Sequence, residues 1–437
     1  MQQSKITLSD TIGLGFMAFA LFLGASNFIF PPLIGMLSGE HLPLAMSGFL
    51  ITAVGLPLIA LFAVAKTSGH LTRLLPASVG LALMLAIYII IGPAVAAPRT
   101  GLVAFEITYQ SFLPWFTKHL DWSAEGMQML YTVLFFGLAM LLSLFPGRLV
   151  DSIGKVLTPL LLVLLMLLAV SVFLYDGSVV GDAVGVYQVH PFFHGFLEGY
   201  NTMDVLGAFM FGMLIIDVLR QKGVVAHGEQ YRYLVIAGLI ASAGLILVYI
   251  ALFYLGGIAQ NMMSLTDNGS TILTNYVRLV FGDAGLYILV VAVTLACLTT
   301  AVGLISACAA FFHEQLTVIS RQKWVAITTL CCFCVANMGL DQLIFISQPI
   351  LHTIYPVAIV LVFLTLLKDR FDHPEEAYSV ALSLAFFYGL LDGLSVLGIQ
   401  VNFVEQLNEV SMGWLIPSFI VIMLLMRHNG SRCVSSE

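Results

Sequence analysis

Gly24-Ala25-Ser26-Asn27-Phe28-Ile29-Phe30-Pro31-Pro32 interrupts the first long apolar run of the chain. Thr11 to Leu23, just before it, reads as apolar helix. Small and polar residues halfway along such a run suit a helix that breaks. Gly lowers helix propensity, and Ser and Asn offer side-chain oxygens to the backbone groups that a break releases. Unwound backbone at membrane depth is tolerated only where it is buried in protein or lines a cavity. The competing reading is a face of small residues packed on a neighbouring helix.

Composition sets the surroundings of that stretch. The 437 residues are 60% hydrophobic and 9% charged, with mean hydropathy +1.01. Soluble folds carry roughly a quarter charged residues. The chain is therefore expected to be an all-α polytopic membrane protein of about 12 transmembrane helices, each roughly twenty residues long. Their centres fall near Gly24, Gly55, Tyr88, Phe136, Leu164, Gly207, Gly244, Thr299, Cys332, Ile354, Phe386 and Ile420. Of the 17 basic residues, all but Arg99, Lys118 and Arg278 lie in alternate loops. Topology follows the placement of Lys and Arg, so both termini are assigned to the cytoplasm and the net charge of −7 carries little weight. The N-terminus is short and polar, and its first apolar segment is too long for a signal-peptide core, so no cleavable signal is expected. Five of the six cysteines lie in apolar helical runs, among them Cys331, Cys332 and Cys334, where packing suits them better than metal binding.

A second interruption, Glu198-Gly199-Tyr200-Asn201-Thr202-Met203-Asp204, falls in the sixth segment and adds a carboxylate. A charged Asp at mid-helix costs about 2.5–3.5 kcal/mol on insertion scales, so it faces protein or water and often has a task. The alternative puts Glu198 and Asp204 at the wet outer end of the helix. The first and sixth segments each open a block of five helices, about 10–175 and about 195–367, with an accessory pair at about 376–427. Because five is odd, the second block enters from the opposite face. That is the pattern of an inverted-repeat secondary transporter, here within a single transmembrane domain spanning the chain.

The combined motifs resemble the bacterial branched-chain amino acid:cation symporters. Carrying the resemblance are Gly15–Ala20, Gly24–Pro32, Gly48–Pro57, Ile91-Gly92-Pro93, Ala97-Pro98-Arg99-Thr100, Gly199–Asp204 and Cys297-Leu298-Thr299-Thr300. Ser26 stands where family members usually show Gly, a departure that bears on how closely the backbone approaches a substrate. The resemblance implies uptake of leucine, isoleucine and valine with Na⁺, or with H⁺ in some members, and no organic cofactor. It also implies the leucine-transporter type of 5+5 inverted repeat with broken helices one and six, and residence in the bacterial cytoplasmic (inner) membrane.

A zwitterion needs amides and a positive helix end for its carboxylate, and carbonyls or acceptors for its ammonium. The amides of Ala25, Ser26 and Asn27 are candidates for the first role, and Thr202 and Asp204 for the second. Tyr88 and Phe209 are candidates for the apolar pocket, with Tyr88 as plain core the alternative. In this fold one sodium lies between helices one and eight, which points to Ala20, Leu23, Ala296, Thr299 and Thr300. Adjacent threonines also suit simple back-bonding to their own helix. Asp204 is also a candidate for a second cation or proton site.

Several polar features stay open. Arg99 is placed either opposite Glu106 or along the outer approach. Thr271–Phe281 is read as a short external helix, lid or connector. His190 and His194 flank Pro191, which argues against their sharing a helical face. Lys368–Glu376 is read as a solvated cytoplasmic loop. Other readings are the same fold carrying another neutral amino acid or working as an exchanger, and an intramembrane enzyme. The chain lacks His-Glu-x-x-His and Gly-x-Ser-x-Gly, and neither the polar stripe nor the filter of a channel is evident.

Overall fold

A computed structural model describes residues 7–119, 123–145, 158–174, 181–260, 268–399 and 412–430. Lys5, Arg148, Lys155, Arg432, Cys433 and the end of the first block near Tyr175 lie outside the described residues. Among the described residues the chain is helical throughout, with no strand. Among the described residues eight helical stretches are long and apolar enough to cross a membrane, and three further apolar helices are shorter.

The first segment is two helices, α1 (Leu8–Phe22) and α2 (Ser26–Ser38), separated by Leu23, Gly24 and Ala25. Thr7 caps α1 with a reciprocal capping box to Asp10. The second segment runs through α3 (Leu42–Leu50) and α4 (Leu56–Thr67), joined by a wide π-helical turn at Ile51–Gly55. The third runs through α5 (Ala77–Ile89) and α6 (Ala96–His119), joined by another at Ile90–Ala94, where the Val95 amide reaches back five residues to the Ile90 carbonyl at 3.0 Å. Such turns shift the phase of a helix and occur often at functional sites. Next come α7 (Ala124–Ser143) and α8 (Thr158–Leu174).

The sixth segment is also broken. A short helix, α9 (Pro191–Glu198), leads through a 3₁₀ turn at Gly199–Thr202 into α10 (Asp204–Gln221). Pro191 opens α9 and does not disrupt it, because the first turn of a helix tolerates proline. α11 (His227–Ala259) follows, then α12 (Gly269–Gln315), kinked at Gly282, where φ is +63°. The chain ends with α13 (Arg321–Ala336), α14 (Leu340–Leu367), α15 (Pro374–Val396) and α16 (Leu415–Gly430).

α11 braces both halves of the first segment. A side chain at Gly244 would strike the Phe19 ring of α1, and one at Gly256 would strike the Pro32 backbone of α2. α11 and α2 therefore meet backbone to backbone, as small residues allow in membranes, and α1 seats an aromatic ring on the glycine of α11. The segment before the Gly282 kink is packed rather than solvated. Gly269 abuts the Ile29 carbonyl, and Ser270, Ile272, Leu273 and Tyr276 are buried. The Lys368–Glu376 stretch also does more than sit in water. Lys66 Nζ bonds Asp369 Oδ2 at 2.6 Å and the Leu366 carbonyl at 2.9 Å, tying α4 to the end of α14. The hydrogen bond from Lys66 holds the Asp369 carboxyl below the usual carboxylate range.

Candidate functional site

The break in the first segment leaves a defined set of backbone groups without helical partners. The Gly24 amide folds back to the Phe22 carbonyl at 2.8 Å, so the Ala20 and Leu21 carbonyls lose their α-helical donors. Threonines of α12 take their place. Thr299 Oγ1 donates to the Ala20 carbonyl at 3.1 Å and to Ala296 at 2.8 Å. Thr300 Oγ1 lies 3.2 Å from Ala20 O and 3.1 Å from Leu21 O. Back-bonding and cross-helix contact thus coexist at Thr299. Ala20, Leu21, Ala296, Thr299 and Thr300 present five neutral oxygens in one buried cluster, the donor type that a hard cation takes. Leu23 differs from this set. It caps α1 by donating its amide to Phe19 O at 2.9 Å, and the carbonyl that meets Thr300 is that of Leu21. A side chain at Gly24 would come within 3.1 Å of Thr300 Cγ2, so glycine lets the break approach α12 without displacing that threonine.

On the outer side of the break, the Asn27 and Phe28 amides turn back to Gly24 O and Ala25 O, at 3.3 and 3.2 Å. The Ala25 amide has no backbone partner among the described hydrogen bonds, and the Ser26 amide opens the first turn of α2. Asn27, the third expected amide donor, is spent within the turn. Its side chain holds the Phe22 carbonyl through Nδ2 at 2.7 Å, while its buried Oδ1 has no partner.

The sixth segment supplies the facing wall. Met203 sits in the left-handed region at φ +61°, a conformation that costs a non-glycine residue about 1–2 kcal/mol and is tolerated at functional sites. That turn places Asp204 at the first position of α10, not in mid-helix, and the residue is 4% exposed. Its carboxylate accepts from the Tyr249 hydroxyl of α11 at 3.3 Å. Its amide approaches Thr202 Oγ1 at 3.4 Å, and that hydroxyl donates to Gly199 O at 2.8 Å.

Between the two breaks lies a cavity of about 30 Å³. Ala25, Ser26, Asn27, Thr202, Asp204 and Thr300 line its polar side. Phe22, Ile91, Met203, Gly207, Phe211 and Leu304 line its apolar side. A water needs roughly 10–15 Å³ on such a measure, so the walls must part before an amino acid enters. Asp204 is its single ionisable lining residue among those described.

Two expected residues lie elsewhere. Phe209 is buried, but it does not line the cavity; Phe211 does, with its ring edge-on to Phe22 at 5.2 Å. Once α10 starts at Asp204, positions 204, 207 and 211 share a face and 209 turns away. Tyr88 stacks on Phe311 at 3.9 Å and lines a second cavity of about 570 Å³ with His70, Arg73, Asp217 and Glu314. The π turn at Ile90–Ala94 brings Ile91 to the first cavity in its place. The two cavities succeed one another along α10 and α12: Gly207 and Leu304 line the smaller, Met210 and Ala307 the larger.

Arg99 was not foreseen as part of this constellation. It is fully buried and does not pair with Glu106, which accepts from Gln110 instead. Its Nη1 donates to Ser26 Oγ and to Asn201 O, both at 3.0 Å, and its Nη2 to Ser347 Oγ at 2.7 Å. The guanidinium thus joins both breaks to α14. A buried cation with neutral acceptors is itself a functional signal in a membrane segment.

Comparisons with known proteins bear on the family and the fold. The family model described as branched-chain amino acid transport protein matches residues 7–431. The chain is 43% identical over 424 residues to a branched-chain amino acid transport system 2 carrier protein of Pseudomonas aeruginosa, covering 95% of each. It is 38% identical over 428 residues to the branched-chain amino acid permease BrnQ of Escherichia coli K12, covering 95% of this chain and 94% of the other. Among solved structures, MhsT in complex with L-phenylalanine superposes with a TM-score of 0.57 at 16% identity, over 95% of this chain and 97% of that one. Mhp1, a nucleobase-cation-symport-1 family transporter, gives 0.55 at 12% identity, over 95% and 91%. The fold is therefore of the leucine-transporter type, and the protein is a transporter, not an enzyme. With two helix breaks around one cavity and a family match along nearly its whole length, the chain belongs to the branched-chain amino acid transport protein family.

Proposed function

We propose that the protein is a symporter that imports leucine, isoleucine or valine together with Na⁺, or with H⁺, by alternating access. The observation that carries the proposal is the convergence at one break of two kinds of backbone group. The Ala25 amide, without a backbone partner among the described hydrogen bonds, precedes the first turn of α2, and the Ala20 and Leu21 carbonyls near the end of α1 turn to the α12 threonines. A positive helix end suits a carboxylate and a negative end suits a cation, so one strand of backbone holds both cargoes. Asp204 and the free Asn27 Oδ1 supply acceptors for the ammonium. Phe22, Ile91, Phe211 and Leu304 receive the aliphatic side chain.

In this reading the chain is one domain of twelve crossings in the bacterial inner membrane, with both termini cytoplasmic and two inverted blocks of five helices. The larger cavity, bounded by His70, Arg73, Asp217 and Glu314, is the cytoplasmic exit, and Tyr88 stacked on Phe311 stands in it. Charge movement supports accumulation, since one elementary charge crossing 100 mV supplies about 2.3 kcal/mol.

The test is radiolabelled leucine uptake into proteoliposomes, with Na⁺, Li⁺ and H⁺ gradients imposed separately. Accumulation is expected only with an inward gradient of the coupling ion. Uptake indifferent to all three contradicts symport. Competition by isoleucine and valine but not by alanine or phenylalanine is expected, and the reverse order favours a carrier of another neutral amino acid.

A further inference from the structure

We infer that Arg99, acting through Ser26, is the counter-charge for the α-carboxylate of the transported amino acid; this rests on the substrate reading above. Arg99 is fully buried, and every partner it has is neutral: the hydroxyls of Ser26 and Ser347 and the carbonyl of Asn201. No ion pair among the described residues includes it, and its Nε has no hydrogen-bond partner. The carboxylate linked to it through Asn201 is that of Glu198, which accepts from Asn201 Nδ2 at 2.8 Å. A buried guanidinium without a paired anion is poorly placed unless an anion arrives.

The route for that anion runs through one residue. Ser26 Oγ accepts from Arg99 Nη1 at 3.0 Å, and the hydroxyl hydrogen of Ser26 enters no other described hydrogen bond. Ser26 also lines the cavity, beside the Ala25 amide, which has no backbone partner among the described hydrogen bonds. A hydroxyl polarised by a guanidinium is a stronger donor than one left alone, because charge-assisted hydrogen bonds reinforce one another in a medium of low dielectric. The Ala25 amide and this hydroxyl form a two-donor cradle for a carboxylate, with the Arg99 charge behind it. The far side of the cavity carries the opposite sign, in Asp204 held by Tyr249. The field across the cavity therefore matches a zwitterion, positive behind Ser26 and negative at Asp204. Ser26 is the binding residue and Arg99 the positioning residue.

The alternative is that Arg99 is only a strap joining α2, the sixth-segment break and α14. The two roles separate on ligand chemistry. Binding of L-leucine and of L-leucinol, which keeps the ammonium and side chain but lacks the carboxylate, is measured on the purified full chain by competition with radiolabelled leucine. The wild-type, Arg99→Gln, Arg99→Lys and Ser26→Ala proteins are compared. If the charge serves the carboxylate, the preference for leucine over leucinol falls by about tenfold in Arg99→Gln and Ser26→Ala, with partial recovery in Arg99→Lys. Equal losses for both ligands, with the preference unchanged, identify a strap and overturn the inference. An unchanged affinity for both overturns it as well. Ser26→Ala keeps the Arg99 bonds to Asn201 and Ser347, so it gives the answer even if Arg99→Gln does not fold. A wild-type chain that binds leucine with no preference over leucinol overturns the carboxylate role alone, whereas one that binds none of leucine, isoleucine and valine overturns the substrate reading and this inference with it.

Discussion

Asp204 is the proposed partner of the substrate ammonium. It is the single ionisable side chain among the described lining residues, and its carboxylate accepts from the Tyr249 hydroxyl at 3.3 Å. A hydrogen bond to a charged group is worth about 1.5–3 kcal/mol, so Asp204→Asn is expected to weaken leucine binding by roughly 10- to 100-fold. Equilibrium binding on the purified variant checks this, and an affinity within a factor of about two of wild type removes Asp204 from the site. Thr300 is the proposed ion ligand. Its hydroxyl faces the carbonyls of Ala20 and Leu21, and it also lines the small cavity. Thr300→Ala is expected to raise the ion concentration for half-maximal uptake by about tenfold, the effect of one lost oxygen ligand at roughly 1.4 kcal/mol, and to leave the order of leucine, isoleucine and valine alone. An unchanged ion dependence would show that the threonine only back-bonds.

At the scale of elements, both breaks were legible in the chain because Gly, Ser, Asn and Thr have no reason to cluster inside an apolar run unless backbone is released there. What the cluster did not convey was phase. Asp204 looked like a mid-helix charge until the left-handed Met203 made it the first residue of a new helix, and that restart turned Phe211 toward the cavity in place of Phe209. The spacing 204, 207, 211 was visible as a helical face once the start was known. Tyr88 falls elsewhere for a related reason: Gly92-Pro93 marks an interruption after it, but not that the interruption is a π turn that shifts the helical phase. Arg99 was noticed as the odd basic residue, but its partners come from segments 73, 102 and 248 positions away, a juxtaposition that sequence neighbours cannot reveal. The brace along α11 makes its own prediction. A methyl group at Gly256 would collide with the Pro32 backbone. Overpacking of this kind costs about 1–3 kcal/mol, so Gly256→Ala is expected to lower thermal stability in detergent. An unchanged melting temperature would mean that α2 and α11 slide apart without penalty.

For the whole molecule, orientation rests on the expected alternation of basic loops and the two expected five-helix blocks, and the proposed coupling element is the break in the first segment. Ala20 and Leu21 turn their carbonyls to α12 on one side of it, and Ala25 and Ser26 line the cavity shared with the sixth-segment break on the other. Two ligands that order one short stretch of backbone each lower the cost of ordering it for the other, and such coupling is reciprocal. The most direct test is therefore the dissociation constant of leucine on the purified chain, titrated against Na⁺ at fixed pH and against pH without Na⁺, alongside the apparent ion affinity with and without leucine. A shared break predicts that one of the two ions tightens leucine binding and that leucine tightens that ion by the same factor. A leucine affinity indifferent to both ions would contradict it.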